Sequence, residues 1–347
     1  MLLVAVVGLV LLLAGCSDDG GSTDSGERTG DLPTMPSVAP EGGAPGPVPP
    51  TGTGGATPSE AGTGAPGDRS SLAEEAEEEA RQAERRVKLN AEQRRQQAWQ
   101  RKRARTGSRD PVFGSDISWP QCRLGLGIPE RPTQGLPMPL PTARYVIMGI
   151  TNGPGFTRNP CLDDQVAWVR KRGLLAGAYA VASQPSPQQI AAHGKDGPFD
   201  GRTGRGALAN TGYQQARANV VTMRRAGLDV PFMWVDVEPV PDFDWSGDLA
   251  ANAAVVRGVV RGYRDAGLRI GVYSTPALWE QVVGTLRFGV PEWRAAGYSD
   301  RAEALRRCGA DWSIQGGKGV LAQWVAQERD LNVTCPGTPL GPWFTRL

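Results

Sequence analysis

From residue 111 to residue 347, short apolar runs alternate with stretches whose apolar positions recur every three to four residues. The runs at 145–150, 175–181, 232–237 and 269–273 read as buried strands. The stretches at 162–172, 213–226, 249–266 and 276–283 read as the helices that follow them. Such repetition is what a parallel sheet with helical crossovers requires. Beyond residue 286 it fails, and 292–296 and 320–324 read as strands with no clear helix between them. The expected fold class is α/β: a TIM-like irregular barrel of eight strands, regular in its first part and degenerate in its last. The segment 185–210 fits no element and reads as an insertion.

The residues before this domain are patterned differently. Residues 1–15 are apolar without interruption, long enough for a signal-peptide core and short of the roughly 20 residues that span a bilayer as a helix. Their end, Leu13-Ala14-Gly15-Cys16, resembles the lipobox of bacterial lipoproteins, which implies cleavage before Cys16 and a lipid on its sulfur. Residues 16–70 are Gly, Pro, Ser, Thr and Asp with scarcely a large apolar side chain. They cannot bury enough surface to offset the entropy of ordering and read as a disordered tether. Residues 71–105 begin acidic (Glu74, Glu75, Glu77, Glu78, Glu79) and end basic (Arg101, Lys102, Arg103, Arg105), which suits the dipole of a charged helical spacer. The expected location is extracytoplasmic, on the outer face of the cell membrane.

Composition narrows the chemistry. The chain has 347 residues and a net charge of +2 from 38 basic and 36 acidic groups, so no wholly basic surface exists and no nucleic-acid partner is expected. The single histidine, His193, excludes H-E-x-x-H and multi-histidine metal sites and reads as a loop residue; no metal is expected. Gly204-Arg-Gly206 and Gly316-Gly-Lys-Gly319 lack the spacing of a phosphate loop, and no cofactor is expected. With Cys16 reserved for lipid, Cys122, Cys161, Cys308 and Cys335 form an even set that reads as two disulfides in an exported chain. Three connectivities are open. Cys122 with Cys161 and Cys308 with Cys335 is favoured because each pair closes the shorter loops.

The most informative stretch is Phe232-Met-Trp-Val-Asp236-Val-Glu238-Pro239. Period-two alternation puts Phe232, Trp234, Asp236 and Glu238 on one face and Met233, Val235 and Val237 on the other. The purely apolar face suits packing under helices, so the other faces the lumen and carries two carboxylates to the strand's C-terminal end, where barrel enzymes hold their sites. Carboxylates at i and i+2 are about 6.6 Å apart along a strand. Desolvation and mutual repulsion should then raise one pKa, which supplies an acid beside an ionised partner. Asp116, in Gly114-Ser-Asp116-Ile-Ser-Trp119, lies where the first strand runs into a loop. Asp330 follows the last strand pattern, 320–324. Trp119, Trp234, Tyr273 and Trp324 offer aromatic faces for sugar rings.

Taken in order, Asp116-Ile-Ser-Trp119, Trp234-Val-Asp236-Val-Glu238-Pro239, Gly271-Val-Tyr273-Ser274, Glu292-Trp-Arg-Ala295, Leu321-Ala-Gln323-Trp324 and Asp330-Leu-Asn332 resemble glycoside hydrolase family 25, the muramidases that cut peptidoglycan. The resemblance spans residues 114–336. It implies a (β/α)5(β)3 barrel acting on the β-1,4 bond after N-acetylmuramic acid. Glu238 is then the acid, Asp236 positions or stabilises the reacting acetamido group, and Asp116 and Asp330 line the site. Trp119, Trp234, Tyr273, Gln323 and Trp324 are expected to bind substrate. The implied partner is peptidoglycan or a related wall glycan, and the protein is expected to be a monomer. Glu292 and Arg294 depart from the family's apolar strand-six motif. The Ser118-Trp-Pro-Gln-Cys122 loop end looks like a distinct, actinobacterial-type branch of exported glycoside-hydrolase-like lipoproteins, in which a silent glycan-binding barrel is the alternative to an enzyme.

Overall fold

The computed structural model describes residues 110–240 and 243–347, together with Arg81, Ala91, Arg94 and Arg95, which are helical. The expected signal segment (1–15), Cys16, the tether (16–70) and the other positions of the charged spacer lie outside the described residues.

The domain opens with strand β1 (Phe113–Ile117) and a single helical turn at Trp119–Gln121. A two-stranded ribbon follows, β2 (Gly127–Ile128) and β3 (Arg131–Pro132). Then come β4 (Tyr145–Gly149), α1 (Leu162–Lys171), β5 (Leu175–Val181), α2 (Pro187–His193), α3 (Gly204–Arg225), β6 (Phe232–Asp236), α4 (Leu249–Asp265), β7 (Arg269–Ser274) and α5 (Pro276–Val283). The last elements are β8 (Glu292–Tyr298), α6 (Arg301–Arg306), β9 (Gly319–Ala326), β10 (Arg329–Thr334) and β11 (Thr345–Arg346). Neighbours are parallel from β1 through β4, β5, β6, β7 and β8 to β9. β10 runs antiparallel to both β9 and β1 and closes an eight-stranded barrel.

The α/β barrel expected from the pattern is therefore present, with three differences of detail. The β1–β4 connection carries a ribbon where a helix would stand. A short α6 lies between β8 and β9. β10 is a strand in its own right, and Asp330 belongs to it. The insertion supplies α2 and the first turns of α3, which starts nine residues before the expected position because Thr203 caps it by accepting from Gly206 N–H. Asp248 caps α4 in the same way through Ala250 and Ala251 N–H, at 2.9 and 3.0 Å.

Strand alternation sorts the core into two layers. Val146, Met148, Met233, Val235, Ile270 and Val272 point outward to pack with Leu162, Val166, Val220, Met223, Val256, Val259 and Trp279 of the helices. Tyr145, Ile147, Phe232, Trp234, Tyr273, Trp293 and Leu321 point inward and fill the lumen. The floor is closed by the C-terminal segment, where Phe344 packs on Tyr145 at 4.3 Å between ring centroids and Trp343 meets Phe232 edge-on at 4.9 Å. Close packing demands glycine at Gly271 and Gly258, among other positions. A Cβ on Gly271 of β7 would lie 2.4 Å from the Trp234 ring, and one on Gly258 of α4 would lie 1.9 Å from the Ala209 carbonyl of α3.

Both favoured disulfides are present, Cys122–Cys161 and Cys308–Cys335. The charged departure at β8 also has a structural role. Glu292 and Arg294 point outward as a buried ion pair at 2.7 Å. Glu292 accepts from the N–H groups of Ile314, Gln315 and Gly317, while Arg294 donates to the carbonyls of Arg307 and Gly309. The pair pins the 307–317 segment to the barrel wall.

Candidate active site

The plug of aromatic side chains leaves a cavity at the C-terminal mouth of the barrel. Asp116, Asp236, Glu238 and Asp330 all line it, with Ser118, Trp119, Arg131, Tyr179, Tyr273, Trp293 and Gln323. The four carboxylates gather because inward positions at the tops of β1, β6 and β10 converge there. Asp116 and Asp330 are register partners on neighbouring antiparallel strands, a pairing that holds Cβ atoms about 5 Å apart. Asp236 is the last residue of β6, and Glu238 follows two positions on in the loop that Pro239 stiffens.

Each carboxylate has a different environment. Asp116 accepts from Gln323 Nε2 at 3.0 Å and from Asn332 Nδ2 at 2.6 Å. Gln323 in turn accepts from the Tyr273 hydroxyl at 2.7 Å, and Asn332 accepts from Trp293 Nε1 at 2.7 Å. These five side chains form one chain of hydrogen bonds across β7, β8, β9, β10 and β1. Asp236 is buried, and among the described residues its Oδ1 accepts no hydrogen bond. Trp245 Nε1 fixes the Glu238 carbonyl at 2.9 Å, and Ser274 Oγ fixes that of Val237 at 2.7 Å, so the backbone under the acid is held.

Burial dominates the electrostatics. Desolvation raises Glu238 to about 7, with a contribution from Asp116 and an opposing one from Arg131. Desolvation likewise raises Asp116 to about 6, against the hydrogen bonds from Gln323 and Asn332. Asp236 is raised by burial and then by the charges of Glu238 and Asp116, and Asp330 by burial and then by Asp116 and Glu238. Four carboxylates in one low-dielectric mouth cannot all be ionised at neutral pH, so the set holds protons there and titrates as a unit. A carboxylic acid beside a carboxylate can protonate a leaving oxygen while the anion steadies developing positive charge.

A lysozyme-like family profile, described as Lysozyme-like protein 1, matches residues 205–297, a span that includes Asp236 and Glu238. A protein of Dictyostelium discoideum described as probable GH family 25 lysozyme 4 is 37% identical over 90 residues, which cover 25% of this chain and 41% of that protein. Over these residues the chain is similar to family 25 lysozymes. Lysozyme-like protein 5 of Caenorhabditis elegans is 29% identical over 70 residues, covering 20% of this chain and 31% of that protein. The chain thus spans less than half the length of the curated relatives it matches. Among solved structures, a family GH25 lysozyme from Aspergillus fumigatus aligns with a TM-score of 0.40 at 18% identity, covering 65% of this chain and 94% of that one.

The expected site residues separate into two groups. Asp116, Asp236, Glu238, Asp330, Trp119, Tyr273 and Gln323 meet at the cavity. Trp234 and Trp324 do not. Trp234 faces the lumen but sits two residues below Asp236, sealed between Phe232, Trp293 and Trp343. Trp324 lies on the outer face of β9, against Ala304, Leu331 and Val333. Its neighbour Gln323 points inward, and adjacent strand residues cannot share a face. His193 ends α2 with its ring stacked on Phe156 at 4.8 Å, and it is not among the cavity-lining residues. Sequence reasoning missed Arg131, Tyr179 and Trp293 as lining residues, and Asn332 as the partner of Asp116. The alternation Asp330-x-Asn332-x-Thr334 could have revealed β10 and put Asn332 beside Asp330's face; nothing local to Arg131 points to the mouth.

Proposed function

We propose that this barrel is a glycoside hydrolase of the muramidase type, cleaving the glycan strands of peptidoglycan. The observation that carries this reading is the convergence of Asp236 and Glu238 with Asp116 and Asp330 in one mouth, where burial keeps Glu238 protonated up to about pH 7. Glu238 donates its proton to the glycosidic oxygen as the bond to the anomeric carbon breaks. The carbonyl oxygen of the substrate's own 2-acetamido group closes on that carbon, and Asp236, whose Oδ1 accepts no hydrogen bond among the described residues, accepts one from the acetamido N–H and steadies its growing positive charge. Water then opens the cyclic intermediate, returning a proton to Glu238. Asp116 is held rigid by Gln323 and Asn332, and Trp119, Tyr273 and Trp293 offer ring faces to the sugars. The site works as a monomer without a cofactor. The lipobox-like Leu13–Cys16 stretch, the tether and the charged spacer favour a lipid-anchored enzyme standing off the outer face of the membrane, within reach of the wall.

Incubating the protein with purified peptidoglycan should release new reducing ends, and Glu238→Gln should lower the rate by at least about 100-fold, the usual worth of a general acid, without any loss of folded stability. Wild-type protein that sediments with the wall yet releases no ends would assign the barrel to silent glycan binding instead.

A further inference from the structure

The β2–β3 ribbon delivers one cation to the carboxylate mouth. Arg131 of β3 is 7% exposed and lines the cavity, the one cationic side chain among the described residues that do so. Its backbone is clamped: Asn152, just past β4, accepts from Ile128 N–H at 3.1 Å and donates to the Arg131 carbonyl at 3.2 Å, so both strands of the ribbon hang on one amide. Thr133 accepts from Leu126 N–H and donates to the Arg123 carbonyl, closing the ribbon's base. Its side chain is held as well. The guanidinium carbon stands 5.7 Å from the ring centroid of Phe243, on the loop that leaves Glu238, and a Cβ on Gly153 would lie 3.2 Å from Arg131 Cγ.

We propose that Arg131 is a positioning residue that governs how readily Glu238 gives up its proton. This rests on the muramidase reading for its consequence in turnover, although the effect on Glu238 stands by itself. Among the described residues, the titratable groups that line the mouth with Glu238, Arg131 apart, are Asp116 from β1, Asp236 from β6, Asp330 from β10, Tyr273 from β7 and Tyr179 from β5. All of them are acids or neutral. With no counter-charge, burial and these neighbours would hold the proton too tightly for efficient transfer, because a general acid works best with a pKa near the working pH. Arg131 opposes them, lowering Glu238 where Asp116 raises it. Each turnover needs Glu238 to pass its proton to the leaving oxygen, and a fixed cation favours the anion that remains.

The test follows the side-chain carboxyl carbon resonance of Glu238 through a pH titration of the full-length protein, the signal being identified by its loss in Glu238→Gln. The midpoint should rise by about one pH unit in Arg131→Ala and return toward the wild-type value in Arg131→Lys. In parallel, the alkaline limb of kcat/KM on purified peptidoglycan should move upward by the same amount in Arg131→Ala, since the acid must be protonated to act. A midpoint that stays put in Arg131→Ala, with kcat/KM depressed equally at every pH, would make Arg131 a packing residue and overturn the inference. A wild-type protein without turnover but with the midpoint moving as stated would instead remove the muramidase reading and leave the role of Arg131 standing.

Discussion

At the scale of single residues, the cost of the site is the burial of acids. The folded-state pKa of Glu238, about 7, lies above the ordinary 4.5, so the native protein binds this proton more tightly than the unfolded chain does. Its penalty is absent below about pH 4.5, grows between 4.5 and 7, and is constant above that range, where it reaches about 3 kcal/mol. Glu238→Gln should therefore stabilise the protein at pH 8 more than at pH 4, as read from urea unfolding. Equal effects at both values would contradict the shift. The sequence made this pair legible because period two along 232–238 separates an apolar face from an acidic one, and the faces are as expected. Asp116 and Asp330 were legible only through the family resemblance, since a lone aspartate at a strand end carries no signal of its own. Arg131 was illegible because it reaches the mouth through ribbon geometry that no local pattern encodes.

At the scale of elements, the same alternation that revealed Asp236 and Glu238 corrects the tryptophans. Trp324 and Gln323 stand in one motif yet occupy opposite faces of β9. Trp324→Ala should cost about 3–5 kcal/mol of stability through the cavity left under α6, with KM for glycan unchanged where the variant remains folded. A raised KM with stability intact would return Trp324 to the site. The elements best read from sequence are β4, α1, β5, β6, α4, β7 and α5, where buried strands and amphipathic helices alternate at regular length. The elements misread are those that tertiary context creates. β10 is short and half polar because its inward residues, Asp330 and Asn332, serve the mouth. α6 has six residues, too few for a helical period to show. The Glu292–Arg294 pair, a charged departure from the family's apolar strand-six motif, is an outward clamp on the 307–317 segment.

At the scale of the whole molecule, the cross-links fall where the barrel is irregular. Cys122–Cys161 ties the loop after β1 to the start of α1, beside the ribbon and Trp119, and closes a span of 39 residues. Chain-entropy arithmetic for a loop of that length gives about 4 kcal/mol. Cys122→Ser with Cys161→Ser should lower stability by about that much in denaturant and reduce turnover more than glycan binding, because the ribbon that carries Arg131 loses its anchor. A double variant as stable and as active as wild type would show that the hydrogen bonds of Asn152 and Thr133 suffice. The central proposal is that the barrel mouth cuts a glycosidic bond through Glu238. The most direct measurement is to digest purified peptidoglycan, reduce the products with borohydride and identify the new terminal sugar by mass spectrometry. Reduced muramic acid from the wild type, and none from Glu238→Gln, is the expected result; reduced glucosamine ends, or equal release by both proteins, would contradict it.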